Sequence, residues 1–547
     1  MELPGNRMAQ WEIKKTKYSL FKGMLFMANI FVLTFFLEEN GMGYLACAAE
    51  TFSLVAILFT GGMPDTIGKL MRQRIQKSLG KNAIEVYRSA TILAILYAIL
   101  GSIVILAISG LVAKFTTNTE FGAKVIRMFI PAYIMLCLSC PLKGFFIGVG
   151  TAAPGSISGI ICNLVIFGTS IATVKLGGGY GEKVAALLNN SEFVNAYKAY
   201  MIPLAVFAGY LAEFVFLFVT YMTGGRNTRI ADRDMSRYHE PASELIGSIA
   251  KGMFPINITE FVLRGMLLSI FIILGIFLPK DVIGIQTPVV YIGAIYGKFL
   301  SVVVFLGFFI EYMTLCFKNY CIGGIRRNEL KFTREKMSEG VHMIFCLGAF
   351  LSVAFMTAGS SFLIGCFHDF NLAGTDLFTL GCLILLFLPL SMYFRTFVSY
   401  TSKKRASLIL AALAFAVSAT FLIISGKMGG LGYKGVIIAL VIYFVILALG
   451  NGFFALSGFK VRLAIVPYIV IPVGTAALSG VIMMLLNKGL INITGGLISF
   501  AVCLFVGALG NLILLLALHN LTEEELVSMP MGKAVIKFGV AFNFFDY

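Results

Sequence analysis

The sequence predicts an all-α polytopic membrane protein, and three observations carry that prediction. Of 547 residues, 59% are hydrophobic and only 13% are charged, with a mean hydropathy of +0.91. Soluble domains carry roughly a quarter charged residues. The apolar runs are long and unbroken, as in 92–113 and 435–456, and a helix needs about 20 apolar residues to cross the hydrocarbon. Lysine and arginine gather in every second connection, the asymmetry that orients membrane helices. A transmembrane barrel would show short alternating strands instead. In hydrocarbon every backbone polar group must be paired within the chain, which helices achieve by themselves.

About fourteen spans follow from the apolar windows, near 18–37, 44–63, 89–113, 125–147, 154–174, 199–222, 253–278, 289–316, 341–366, 374–394, 406–425, 435–456, 464–486 and 494–518. Placing the N-terminus in the cytoplasm puts the basic segments inside. Lys69, Arg72, Arg74, Lys77, Lys81 and Arg88 join spans two and three, and Arg226, Arg229, Arg233 and Arg237 join spans six and seven. Lys318, Arg326, Arg327, Lys331, Arg334 and Lys336 join spans eight and nine, and Arg395, Lys403, Lys404 and Arg405 join spans ten and eleven. An even count returns the C-terminus to the same side.

The layout repeats: spans two and eight each lead into a basic connection of about twenty residues. The expected organisation is a cytoplasmic N-terminus (1–17), a six-helix bundle (18–224), a cytoplasmic linker (225–252), a second six-helix bundle (253–456), helices thirteen and fourteen (457–518) and a cytoplasmic tail (519–547). A parallel repeat implies a pseudo-two-fold axis along the membrane normal and a central cleft.

Several function classes drop out. The net charge of +16 is accounted for by topology and attraction to anionic membrane lipids, so no nucleic-acid partner is expected. Cys137 and Cys140 form a CxxC inside an apolar run beside Pro141, where small residues pack between helices. His239, His342, His368 and His519 share no metal-ligand spacing, and no metal or cofactor is expected. The chain lacks GxxxxGK[ST], HExxH and GxSxG, so it is not expected to be an enzyme. The first apolar stretch follows Lys14, Lys15 and Lys17 without a small-residue cleavage site and is expected to stay as a signal anchor. The longest outside connection, 175–198, with Gly177, Gly178 and Gly179, is expected to be a loop too small for a catalytic domain.

Ionisable residues inside a span are costly unless they face water or a partner, so they point to function. The deepest are Glu50, Glu213, Glu260, Arg264 and Lys298; Lys22 and Glu311 lie nearer span ends, where snorkelling accounts for them. Glu260 and Arg264 are spaced i, i+4 and can pair. Arg264 lies about 17 Å into span seven and Lys298 about 14 Å into span eight from the other side. Two cations near mid-depth suit a phosphate or diphosphate, arginine through its fork and lysine as a point charge. The competing reading is a Glu260–Arg264 pair that satisfies itself. Glu50 and Glu213 are candidates for binding a coupling Na⁺ or proton, against a hydrogen-bonded packing role. Pro131, Pro141, Pro255, Pro389, Pro467 and Pro472 free backbone carbonyls and permit bending.

Four segments resemble the stage V sporulation protein B group. They are Glu50–Leu54 leading to Gly62-Met63-Pro64 and Ile67-Gly68-Lys69-Leu70; Leu142-Lys143-Gly144-Phe145-Phe146-Ile147-Gly148 followed by Pro154, Ile157 and Ser158; Phe254-Pro255-Ile256-Asn257 with Leu263-Arg264; and the tail Leu521-Thr522-Glu523-Glu524-Glu525-Leu526 followed by Pro530, Gly532 and Lys533. That group is a branch of the multidrug/oligosaccharidyl-lipid/polysaccharide exporter superfamily, close to the lipid II flippases. Asp65, Lys143 and Asn163 depart from the group's pattern.

The resemblance implies a flippase that moves a lipid-linked oligosaccharide, carried on a polyprenyl (pyro)phosphate, across the bacterial cytoplasmic membrane through a cationic cavity that contains Arg264. Such a protein supplies a cell-envelope polysaccharide or peptidoglycan precursor, and a monomer is expected. A cation-coupled multidrug or metabolite exporter of the same superfamily, and a non-transporting scaffold for envelope assembly, are the alternatives.

Overall fold

The computed structural model describes residues 4–151, 153–189, 191–224, 239–277, 288–368, 372–401, 404–427, 432–530, 532–542 and 544. Arg226, Arg229, Arg233 and Arg237 of the expected linker, and Lys403, lie outside them. The described residues are helical, without strands, and the chain is a multi-pass α-helical membrane protein. Among the described residues, thirteen helices are long and apolar enough to cross a membrane. The first, α1 (Pro4–Thr60), is two helices joined at Glu38, where φ is 54°. At 1.5 Å per residue it exceeds twice the hydrocarbon thickness, so it supplies spans one and two and brings the crossings to the expected fourteen.

The chain packs into two compact units, one of residues 28–297 and the other of 1–27 with 298–547. The division falls inside helices rather than at the linker expected from composition. Its physical basis is the packing of α8, which lies against α3 and α2 within the first unit.

In unit 28–297, the second arm of α1 ends at Gly61-Gly62. There follow α2 (Met63–Gln76), α3 (Gly80–Thr116), α4 (Glu120–Arg127), α5 (Ile130–Gly148), α6 (Ala153–Leu188), α7 (Glu192–Thr223), α8 (Ala242–Phe277) and α9 (Pro288–Gly293). The basic connection after span two is therefore a helix. Its apolar face, Ile67 and Met71, is fully buried and packs on α5. Gly144 and Gly148, one turn apart, receive Ile67 and Met71: a Cβ on either glycine would stand 2.7 or 2.6 Å from those side chains. Conversely, a Cβ on Gly68 would stand 2.2 Å from Ile147. Two of the motifs quoted above thus exist to fit each other, since small residues let membrane helices approach closely.

The expected loop 175–198 is instead a helical hairpin. The glycine run lies inside α6, and a Cβ at Gly177 would come within 2.6 Å of the Tyr197 carbonyl on α7. With no side chain there to hold the backbones apart, α6 and α7 stay in contact well beyond one bilayer thickness.

In the second unit the order repeats. A π-helical segment, Ala294–Leu300, spans the division and continues into α10 (Ser301–Met313), then α11 (Leu315–Arg327), α12 (Leu330–Phe367), α13 (Leu372–Gly381), α14 (Ile384–Val398), α15 (Lys404–Lys427) and α16 (Gly432–Phe459). Short α11 stands where α2 stands, long α12 where α3 stands, and the broken pair α13/α14 where α4/α5 stand. A tyrosine-over-glycine contact recurs as well: the Tyr133 ring fills the space over Gly101, and Tyr393 that over Gly340. A second π segment, Val466–Val470, opens α17 (Ile471–Thr494), followed by α18 (Gly496–Ala517). Both pack on α12 through Asn487, which accepts from Ser361 (2.5 Å) and Ser499 (2.9 Å) and donates to the Thr357 carbonyl (3.2 Å). The tail forms α19 (Glu523–Val527) and α20 (Gly532–Ala541). It is held by Glu525, which accepts from His342 Nδ1 at 3.0 Å.

Candidate functional site

Unit 28–297 contains four of the five sequence-derived candidates. Arg264 on α8 is exposed, with one guanidinium nitrogen donating to Ser53 Oγ of α1 at 2.7 Å. This hydrogen bond runs across to another helix rather than along its own. Glu260 lies half-buried one turn before it. An arginine has five N–H donors in a fixed fork, and one bond to a neutral hydroxyl leaves donors that an anion can accept from.

Glu50 faces this arginine from α1. It is 3% exposed, interacts electrostatically with Arg264 and lies within hydrogen-bonding reach of the Tyr296 hydroxyl. Its Oε2 has no hydrogen-bond partner among the described residues. Tyr296 belongs to the π segment Ala294–Leu300, the kind of one-turn widening that recurs at functional sites. No motif in the sequence marks that tyrosine.

Glu213 on α7 is fully buried and already has a cation. Lys143 Nζ of α5 stands 2.8 Å from its Oε1, and Ser158 Oγ of α6 donates to the same oxygen at 3.1 Å. The departure noted at Lys143 is thus one half of a buried ion pair joining three helices. Tyr210, one turn before Glu213, senses both Glu213 and Arg264, and its ring lies 6.1 Å from Phe52.

Asn257, two turns before Arg264, holds α8 to the break between α1 and α2. Its Oδ1 accepts from the Gly62 N–H at 2.6 Å, and its Nδ2 donates to the Leu58 carbonyl at 2.8 Å. The Gly-Met-Pro turn and the Phe-Pro-Ile-Asn segment meet here.

Lys298 belongs to the other unit. It is 7% exposed, with Nζ 5.5 Å from the centroid of the Phe367 ring, a cation–π contact. Glu311 does not snorkel. It is buried and accepts from Lys318 Nζ at 2.6 Å across the α10/α11 break. Cys137 and Cys140 are buried free thiols on α5.

No family model matches the sequence, and no curated relative matches it. Solved structures do. A lipid II flippase, MurJ, in an inward closed conformation aligns with a TM-score of 0.60 at 12% identity, over 92% of this chain and 98% of that one. An inward-facing multidrug resistance MATE family transporter of the MOP superfamily aligns at 0.55 and 14%, over 82% and 95%. A MOP superfamily transporter from Pyrococcus furiosus aligns at 0.52 and 14%, over 82% and 97%. The chain has the MOP transporter fold. At these identities the likeness is one of fold alone, and the site residues stand on their own geometry.

Proposed function

We propose that this protein is a flippase that carries a polyprenyl-(pyro)phosphate-linked oligosaccharide across the bacterial cytoplasmic membrane by alternating access, with both termini in the cytoplasm. The observation that carries this reading is Arg264: a guanidinium within an apolar span, exposed, bonded to Ser53 and faced by Glu50. A charge at that depth is expensive unless it meets water or a partner, and the fork geometry suits phosphate oxygens. Glu260, one turn before Arg264 on the same helix, and Lys298, in the other unit, are the further candidate contacts for the cargo. The fold it shares with a lipid II flippase supports the cargo class. The test is translocation of a fluorescent polyprenyl diphosphate sugar in proteoliposomes. Arg264→Ala should abolish it while expression and folding persist, and normal flipping by that variant would overturn the assignment.

Glu50 favours a second reading, a cation-coupled exporter. A buried carboxylate with one uncommitted oxygen is the group such a protein would load with Na⁺ or a proton. Glu213, with Lys143 in place, is the poorer candidate of the two. Glu50→Gln should then uncouple transport from the ion gradient, and efflux of drug-like cations by the wild type would favour this reading over the first.

A further inference from the structure

The kink in α1 at Glu38 carries a second constellation that the anion site does not use. Five aromatic rings touch in sequence there: Tyr44 and Phe121 (centroids 5.6 Å apart), Phe121 and Tyr197 (5.1 Å), Tyr197 and Tyr180 (5.1 Å), and Tyr200 against both Tyr197 (6.3 Å) and Phe121 (5.9 Å). Beside them runs a polar chain. Lys198 Nζ donates to Asn195 Oδ1 at 2.9 Å, and Asn195 Nδ2 donates to Glu38 Oε2 at 2.8 Å. Close helix approach assembles the group, because a Cβ on Gly41 would meet the Asn195 carbonyl at 2.6 Å and one on Gly177 the Tyr197 carbonyl. Glu38 sits at φ 54°, a conformation that a non-glycine residue adopts only where its surroundings hold it there.

Two features set these tyrosines apart. Tyr180 is 54% exposed, and the hydroxyls of Tyr180, Tyr197 and Tyr200 have no hydrogen-bond partner among the described residues. Tyr133 and Tyr393, by contrast, spend theirs on the carbonyls of Tyr97 and Met337. The bland account is an interfacial aromatic belt, which spreads tyrosines around the perimeter at headgroup level. Here every ring touches another, and a carboxylate, an amide and an ammonium line the same patch. Apolar ring faces next to tyrosine hydroxyls and a polar chain of carboxylate, amide and ammonium match the alternation of C–H faces and hydroxyls on a pyranose.

We propose that this cluster, centred on Tyr180, Tyr197 and Tyr200 with Glu38 and Asn195, binds neutral oligosaccharide on the face that the lysine and arginine asymmetry assigns to the outside. Its role, receiving the sugar portion of the cargo as it emerges, rests on the flippase reading; the binding itself does not.

The test has two arms. In the first, full-length protein in nanodiscs is titrated with chitotetraose and read by saturation-transfer NMR. The wild type should bind, Tyr180→Ala should weaken binding at least fivefold, and so should the Tyr→Phe triple at 180, 197 and 200, which keeps every ring. Arg264→Ala should bind as the wild type does. No binding by the wild type, or equal binding by the variants, overturns the proposal. In the second arm, proteoliposomes are offered polyprenyl diphosphate with and without a disaccharide. Slowing of the glycosylated lipid alone by Tyr180→Ala supports the proposed role, whereas equal slowing of both identifies an interfacial belt and overturns it. A wild type that moves neither lipid refutes the flippase reading, and the first arm still decides the site.

Discussion

Asn257 is the tightest link between α8 and the α1/α2 break, and its removal has a calculable cost. Asn257→Ala strips the acceptor from the buried Gly62 N–H. Leaving such a donor unsatisfied costs about 1–3 kcal/mol. It also removes the donor to the Leu58 carbonyl, a bond worth about 0.5–1.5 kcal/mol. The expected loss is about 2–4 kcal/mol, read as a shift in equilibrium unfolding by SDS in mixed micelles. Gly62→Ala should also destabilise, because the new Cβ would stand 2.9 Å from Ile256 Cβ and 3.1 Å from Asn257 Oδ1. In the double variant the second of those clashes is gone. Its cost should therefore fall short of the sum by about 0.5–3 kcal/mol, the range for residues in contact. A single Asn257→Ala variant within about 0.5 kcal/mol of wild type, the usual scatter of neutral substitutions, would refute the clamp, as would strict additivity.

Four further expectations follow from the packing. Lys143→Met alone, or Glu213→Gln alone, breaks a buried ion pair and should cost about 3–5 kcal/mol, while the double variant should recover much of it; equal losses in all three, by the same unfolding assay, would show that the pair is not coupled. Glu525→Ala removes the partner of both His342 and the Thr522 N–H, so α19 and α20 should become sensitive to limited proteolysis at concentrations that leave the wild type intact. Gly144→Leu should abolish folded expression, because the Ile67 side chain already fills the space over that glycine, whereas Gly168→Leu, where a Cβ meets nothing within 4 Å, should be tolerated. Burial pushes the Cys321 thiol, on α11 outside the spans, up to about 12. Only the thiolate reacts, so maleimide labelling near pH 8 should be slow in the folded protein and fast after denaturation. Because the unfolded thiol titrates near 8.5, the contribution of this group to stability is full below that pH and is lost as pH rises toward 12.

How much of the site was legible depends on what each residue needed. Arg264 and Glu50 stood out because a charge inside an apolar window is visible without a fold. Ser53, Tyr210 and Tyr296 did not, since a serine or tyrosine in a span is ordinary until something across the gap bonds to it. Lys143 stands out in the sequence as a departure from a pattern, but near the end of span four nothing along the chain ties it to Glu213, its counter-ion. The glycine run 177–179 reads as a loop because it falls in a connection outside the apolar windows; close approach to a neighbouring helix makes it helical.

By itself, then, the amino-acid sequence determined that the chain lives in a membrane, crosses it about fourteen times and repeats its layout. Each of these depends on the hydropathy and charge of short windows, which the solvent reads locally. The tertiary structure alone decided which partner each charge meets: Glu213 on Lys143, Glu311 on Lys318, and Arg264 bonded to Ser53 with Glu50 facing it. A partner is chosen by the distance between crossing helices, and the spacing along one helix does not carry that distance.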